Sequence, residues 1–305
     1  MPEKFHFGFL ENQKRFDELP TEEKESLINK AHEEALLLNE KVDKYSDEGM
    51  SKSGFVENLV NKEENVDSLM SIYKHGIIPI VEKLKDDIEK GVFDTLISDD
   101  AGARLPTLIF KDILKAKGPE AKEIKVHFLA LGQRLHERFG SSYSSELEEY
   151  VRNHKDEWGK VLLVTEYSGT GATLRRIHTM FKNTGVTNYD VAALYSNFEL
   201  EGQVTAPNGD IQRTFTGEVG SNEQIIGNTL SRRSRQFSGV KRPESSSPFP
   251  IRRDKSPNEQ YHEKEKLMMQ EIMNMARKYA QKAAQEIIDE VWNKKQVNQQ
   301  NTQNS

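Results

Sequence analysis

The sequence contains no cysteine in 305 residues. That absence excludes disulfides, thiolate nucleophiles, zinc–thiolate sites and iron–sulfur clusters, and it fits a reducing cytoplasm. Apolar residues are also scarce: 35% of the chain is hydrophobic against 30% charged. Such a balance supports the core of about one domain, with much of the chain solvated. No run approaches the roughly 18 apolar residues of a membrane span, and Met1–Pro20 lacks the apolar stretch of a signal peptide. The 43 basic and 49 acidic residues leave a net charge of −6, which does not suit a protein that coats nucleic acid. Three catalytic signatures are missing too: the G-x-x-x-x-G-K-[ST] loop, H-E-x-x-H and G-x-S-x-G. Neither nucleic acid nor a membrane is expected as a partner, and the expected location is cytoplasmic.

What is present is unevenly distributed. Residues 1–90 hold 13 basic and 21 acidic residues and read as an acidic helical N-terminal region. Thr21 suits the N-cap of a helix striped by Ile28, Ala31, Ala35, Leu38 and Val42. A second helical pattern runs from Phe55 to Tyr73, and a third starts near Ile77 and Pro79 and continues to Ile88. Residues 91–220 read differently. Strand-like runs at Thr95–Ser98, Ile124–Leu131, Lys160–Thr165 and Tyr189–Tyr195 are interleaved with helical patterns at Leu105–Ala116 and Ala172–Lys182. Strands alternating with helices predict βαβ crossovers, hence an α/β fold with a parallel sheet and flanking helices. Gly132–Gly159 is partly polar and partly helical, and Asn208-Gly209 between Glu199–Thr205 and Asp210–Thr216 predicts a hairpin.

Residues 221–257 form a basic segment containing Ser and Pro, in which Asn228–Lys255 carries eight basic and two acidic residues. It reads as a solvated linker, a surface for an acidic partner or nucleic acid (though with only Phe237 and Phe249 as interleaved aromatics), or arginines folded back over an anionic site. Residues 258–297 form a C-terminal helix. Its stripe of Met268, Ile272, Met275, Tyr279, Ala283, Ile287 and Val291 suits either a homodimer or packing on the domain. The tail at 298–305 is almost wholly polar and expected to be disordered.

Chemistry concentrates in Val161–Leu174. An apolar strand is followed by Glu166, then by Ser168-Gly169-Thr170-Gly171-Ala172-Thr173, then by a helix. Ligands of open parallel sheets bind beyond the carboxyl ends of the strands. Backbone N–H groups of a small-residue loop at a helix N-terminus can cradle an anion. A plain strand–turn–helix with capping hydroxyls would read the same way. Asp94–Leu105 repeats the pattern, with Asp99-Asp100 as either a helix N-cap pair or site carboxylates. His127 and His178 fall inside predicted elements and read as packed residues rather than ligands.

Val-Leu-Leu-Val-Thr-Glu-Tyr-Ser-Gly-Thr-Gly-Ala-Thr-Leu at 161–174, together with Ser-Asp-Asp-Ala-Gly-Ala-Arg at 98–104, resembles the paired motifs of the type I phosphoribosyltransferases. The resemblance covers about a third of the chain, Asp94–Tyr195. It implies a phosphoribosyltransferase-like core with N- and C-terminal helical extensions. It further implies that Ser168, Gly169, Thr170, Gly171, Ala172 and Thr173 hold the 5-phosphate of phosphoribosyl pyrophosphate, and that Glu166 contacts the ribose. Asp100, Ala101, Gly102, Ala103 and Arg104 would meet pyrophosphate, with Mg²⁺ reached through water by Asp100 and Glu166. Gly132–Gly159, with Arg134, Arg138 and Lys155, would supply the family's mobile catalytic loop, and Phe198–Thr216 a substrate-selecting hood. Thr165 stands where the family carries its first acid, and Gly169 where purine-salvage members often carry another. The implied function is Mg²⁺-dependent transfer of a phosphoribosyl group to a nitrogenous acceptor with release of pyrophosphate. A non-catalytic phosphoribosyl- or nucleotide-binding regulator of the same fold is the alternative, and Thr165 favours it.

Overall fold

The computed structural model describes residues 62–293 except 100–101, 121, 132, 169–170, 197–212, 220–236, 239, 242–248, 250 and 253–262. The first helical pattern, the Glu199–Thr205 run, most of the basic segment and the polar tail lie outside the described residues. The chain runs α1 (Lys62–Glu89), β1 (Thr95–Asp99), α2 (Arg104–Lys117), β2 (Lys125–Leu129) and α3 (Gln133–His154). It continues through β3 (Val161–Ser168), α4 (Ala172–Thr184), β4 (Tyr189–Ser196) and β5 (Thr214–Val219). A two-residue antiparallel pair follows, β6 (Val240–Lys241) with β7 (Ile251–Arg252), and then α5 (Glu263–Ile288).

The five main strands form one sheet in the order β2-β1-β3-β4-β5, and every pairing is parallel. Parallel neighbours cannot be joined by tight turns, so helices must cross over and cover both faces. The central strands accordingly lack polar alternation: β4 is buried at every position and β3 at all but Tyr167. Helices α1 and α2 pack on one face. The other face carries a core in which Ile97, Leu129, Leu163, Val191 and Ala193 of the sheet meet Leu147 and Val151 of α3 and Ile177 and Phe181 of α4.

Two parts of the sequence reading are corrected. From Lys62 on, the second and third helical patterns are one helix, α1, which continues through Pro79. Its unbroken buried face of Leu69, Tyr73, Ile77, Ile80, Leu84 and Ile88 outweighs the ~3 kcal/mol that an interior proline typically costs. From Gln133 on, the Gly132–Gly159 segment follows its partly helical pattern and is mainly helix rather than loop. Residues Gln133–His154 are helical, with Leu147 and Val151 on the core side and Trp158 buried just beyond. The Asn208-Gly209 turn and the Glu199–Thr205 run lie outside the described residues, and at the described end of the second run Thr214–Thr216 pairs in parallel with Val191–Ala193. Gly217 permits this docking, since a Cβ there would collide with the Gly76 carbonyl oxygen of α1.

The C-terminal helix lies across α1 and α2 of its own chain. Ile272, Ala276, Ala280, Ala283 and Ile287 are buried, and the small side chains allow close approach of the helix axes. Lys74 pairs with Glu286, and Trp292 donates to Glu89 at 2.7 Å beneath Lys85 and Lys117. Among the described residues no helix is long and apolar enough to cross a membrane.

At the edge where the strands begin, buried Asp190 accepts from Lys160 at 2.9 Å and from Arg213, which also reaches Asp87 at 2.7 Å. Asp190→Ala should leave Lys160 without this partner and Arg213 with Asp87 alone. Because Lys160 and Arg213 keep some solvent, the expected loss is about 2–3 kcal/mol, below that of a fully buried pair; urea denaturation measures it. His127 and His178 are packed side chains, the first bonded to Tyr150 at 2.8 Å and the second to Tyr189. Burial pushes both pKa values below the ordinary 6.5, helped by His154 and Lys125 for His127 and by Lys182 for His178. The unfolded chain therefore takes up protons more readily, and stability should fall as pH drops below 6.5. A His127→Asn, His178→Asn variant should show a flatter profile in melts between pH 7 and 5.

Candidate functional site

In the order β2-β1-β3-β4-β5 the chain leaves β1 toward β2 on one side and later returns to β3 on the other. That reversal opens a crevice beyond the carboxyl ends of β1 and β3, the usual ligand position in such sheets. Both motif loops start there. One follows Asp99 and enters α2, and the other follows Ser168 and enters α4.

The two loops meet. A Cβ on Gly102 would stand 2.5 Å from Oε2 of Glu166, so any larger residue there would displace that carboxylate. Glu166 is 5% exposed, and its Oε1 accepts from the Tyr73 hydroxyl of α1 at 3.3 Å. Tyr195 of β4 donates to the Ile72 carbonyl at 2.7 Å, tying the same turn of α1 to the sheet. Beside Glu166, Thr165 donates to Asp99 Oδ2 at 2.9 Å. The guanidinium of Arg104 stacks over Phe128 of β2, 4.0 Å from the ring centroid; such stacking fixes the plane of an arginine.

The second loop is described at Ser168 and from Gly171 on. Gly171 caps α4 in the left-handed conformation, φ 69°, with no side-chain cap. Ser168 is buried, and its Oγ has no hydrogen-bond partner among the described residues. Its carbonyl accepts from Ser196 at 3.1 Å. Thr173 is half-buried in the first turn of α4.

Of the expected site residues, Glu166, Gly102, Ala103 and Arg104 gather around the first loop, and Ser168, Gly171 and Thr173 belong to the second. Asp100, Ala101, Gly169 and Thr170 lie outside the described residues, as do the side chains of Ala172, Arg134 and Arg138. Lys155 is not part of the site. Its ammonium lies beside Gly185, which caps the far end of α4. Asp99 is not a helix cap: it ends β1, and the N-cap of α2 is Ala103. Tyr73 and Phe128 had no signal in sequence beyond an apolar stripe and a strand. A cavity of about 90 Å³ between α3 and α4, lined by Leu147, Glu148, Arg176 and Met180 among others, includes none of these site residues.

Comparison with known protein families, with curated proteins and with solved structures finds no match for this chain.

The contact between Gly102 and Glu166 makes a direct prediction. Gly102→Ala should destabilise by the roughly 1–3 kcal/mol of an overpacked site, and in a Glu166→Ala background the same change should cost almost nothing. Urea denaturation of the four variants gives the coupling.

Proposed function

We propose that the crevice at the ends of β1 and β3 binds phosphoribosyl pyrophosphate and that the protein is a Mg²⁺-dependent phosphoribosyltransferase. The observation that carries this reading is the closure of the Asp99–Arg104 loop on Glu166 at the reversal of strand order. Two small-residue loops, each after a buried strand, then share one crevice, as a ligand with a phosphate at one end and a pyrophosphate at the other requires. The finer fold assignment, a type I phosphoribosyltransferase-like core, belongs to the same proposal.

On this reading the Ser168–Thr173 loop anchors the 5-phosphate through backbone N–H groups and hydroxyls. Glu166, oriented by Tyr73, accepts from the ribose hydroxyls. Arg104, held flat by Phe128, pairs with pyrophosphate oxygens. The bond from ribose C1 to pyrophosphate breaks with its electron pair leaving on oxygen, and a nitrogen lone pair of the acceptor forms the new bond to C1. The acceptor nitrogen then gives up its proton to solvent or to pyrophosphate. The protein contributes positioning and charge complementarity rather than a covalent intermediate. Mg²⁺ fits the donor chemistry, since it prefers one or two carboxylates plus substrate phosphates and water. Asp100 and Glu166 would hold it, and when bound it neutralises charge on the departing pyrophosphate.

A regulatory protein that binds the same ligand without turnover is the second reading, favoured by Thr165 at the strand end. Calorimetry with phosphoribosyl pyrophosphate and Mg²⁺, beside pyrophosphate release over a broad panel of nitrogenous acceptors, separates the two. Binding and release are expected, and Glu166→Ala should weaken binding at least tenfold. Binding without release on any acceptor supports the regulator; no binding at all sinks both.

A further inference from the structure

We propose that the cavity between α3 and α4 is a binding site for a small aliphatic α-amino acid, separate from the crevice at the strand ends. The ammonium group of the ligand would meet Glu148, its carboxylate Arg176, and its side chain the apolar floor.

Size narrows the class first. The cavity measures about 90 Å³, room for about three waters at ~30 Å³ each. That is well below the roughly 300–1,000 Å³ of pockets that take drug-sized ligands, so a nucleotide or phosphoribosyl pyrophosphate does not fit. Polarity narrows it further. Leu147 of α3 and Ile177 and Met180 of α4 are buried, and with Leu131, just beyond β2, they form an apolar floor. Glu148 and Arg176 line the same cavity from the two facing helices, and both are half-buried. A packing void with an apolar lining stays dry, whereas a cavity lined by charged groups holds a polar occupant.

Both charged heads are anchored. Arg176 donates to the Leu131 carbonyl, which ties the second turn of α4 to the chain leaving β2. Glu148 accepts from Arg152, one turn along α3, through Oε2 at 2.7 Å. A guanidinium and a carboxylate thus share one small space with three or four apolar side chains. The planar fork of an arginine suits a carboxylate, and a carboxylate suits an ammonium. A molecule that joins both charged groups to one carbon, beside a short apolar chain, is an α-amino acid. A simple carboxylic acid would meet only Arg176, and a simple amine only Glu148.

The test uses the full chain and calorimetry at neutral pH with L-valine, with 3-methylbutanoate, which lacks the amine, and with isobutylamine, which lacks the carboxylate. Glycine and L-alanine are smaller members of the class. Ligands of so few atoms should bind in the micromolar to millimolar range. L-valine is expected to saturate, and each single-charge analogue to bind at least tenfold more weakly. Glu148→Gln should weaken L-valine about tenfold and leave 3-methylbutanoate unchanged, whereas Arg176→Gln should weaken both. No saturable binding of glycine, L-alanine or L-valine at about 10 mM overturns the proposal and leaves the cavity to water. Equal binding of L-valine and 3-methylbutanoate overturns it too, because the amine then contributes nothing. Binding of L-valine that neither substitution changes refutes the site. Arg176→Gln also removes the contact with Leu131. Should that variant fail to fold, the ratio of L-valine to 3-methylbutanoate affinity in Glu148→Gln decides: a fall of about tenfold supports the proposal, and an unchanged ratio refutes it.

Discussion

The parallel pairing of β1 with β3 constrains everything else in this protein. Neighbouring parallel strands must be connected over a face of the sheet, so β1, β2 and β3 are each followed by a helix, and both faces acquire an apolar cover. Because β2 takes one side of β1 and β3 the other, the two following loops part at the carboxyl edge and leave a crevice. Residues 66 positions apart, Asp99 and Thr165, become hydrogen-bonded neighbours there. No local preference of either segment produces that contact. It follows from register along a shared ladder.

The crevice is assembled from more than the two motif strands. Glu166 is a nearly buried carboxylate, and a group of that kind needs hydrogen-bond donors to offset its lost hydration. One donor is the hydroxyl of Tyr73, on a helix that precedes the first strand. Helix α1 is held against β4 and β5 by its apolar face, by the Gly76–Gly217 backbone approach and by Tyr195. It is fixed from outside by α5 through an alanine-lined contact and the Lys74–Glu286 pair. The helical extensions on either side of the α/β core thus form its second layer on one face and help to set the orientation of a site carboxylate.

Much of the architecture was legible in the residues. The apolar runs at 95–98, 160–165 and 189–195 became strands because parallel strands buried on both faces need unbroken apolarity. Gly171 ended one strand–loop–helix unit where its positive φ allowed α4 to begin. Other features misled. Pro79 reads as a helix start, yet packing against the sheet carried α1 through it. The polar surface of α3 obscured its helical period, since its core-facing side chains are sparse. Lys155 suited an anion by charge alone, but the turn after α3 holds it at the opposite end of α4 from the candidate cradle.

By itself the sequence determined the alternation of strand and helix and the two small-residue loops, because burial and backbone freedom are written locally in residue type and spacing. It also excluded thiol chemistry, since the chain has no cysteine. Only the tertiary structure decided which groups share the crevice. The closure of Gly102 on Glu166, the Tyr73 hydroxyl on that carboxylate, the Arg104–Phe128 stack and the Thr165–Asp99 pair all join residues distant in the chain or set by loop closure. Such contacts depend on strand order, register and helix docking, which are global outcomes of packing, and no single segment encodes them.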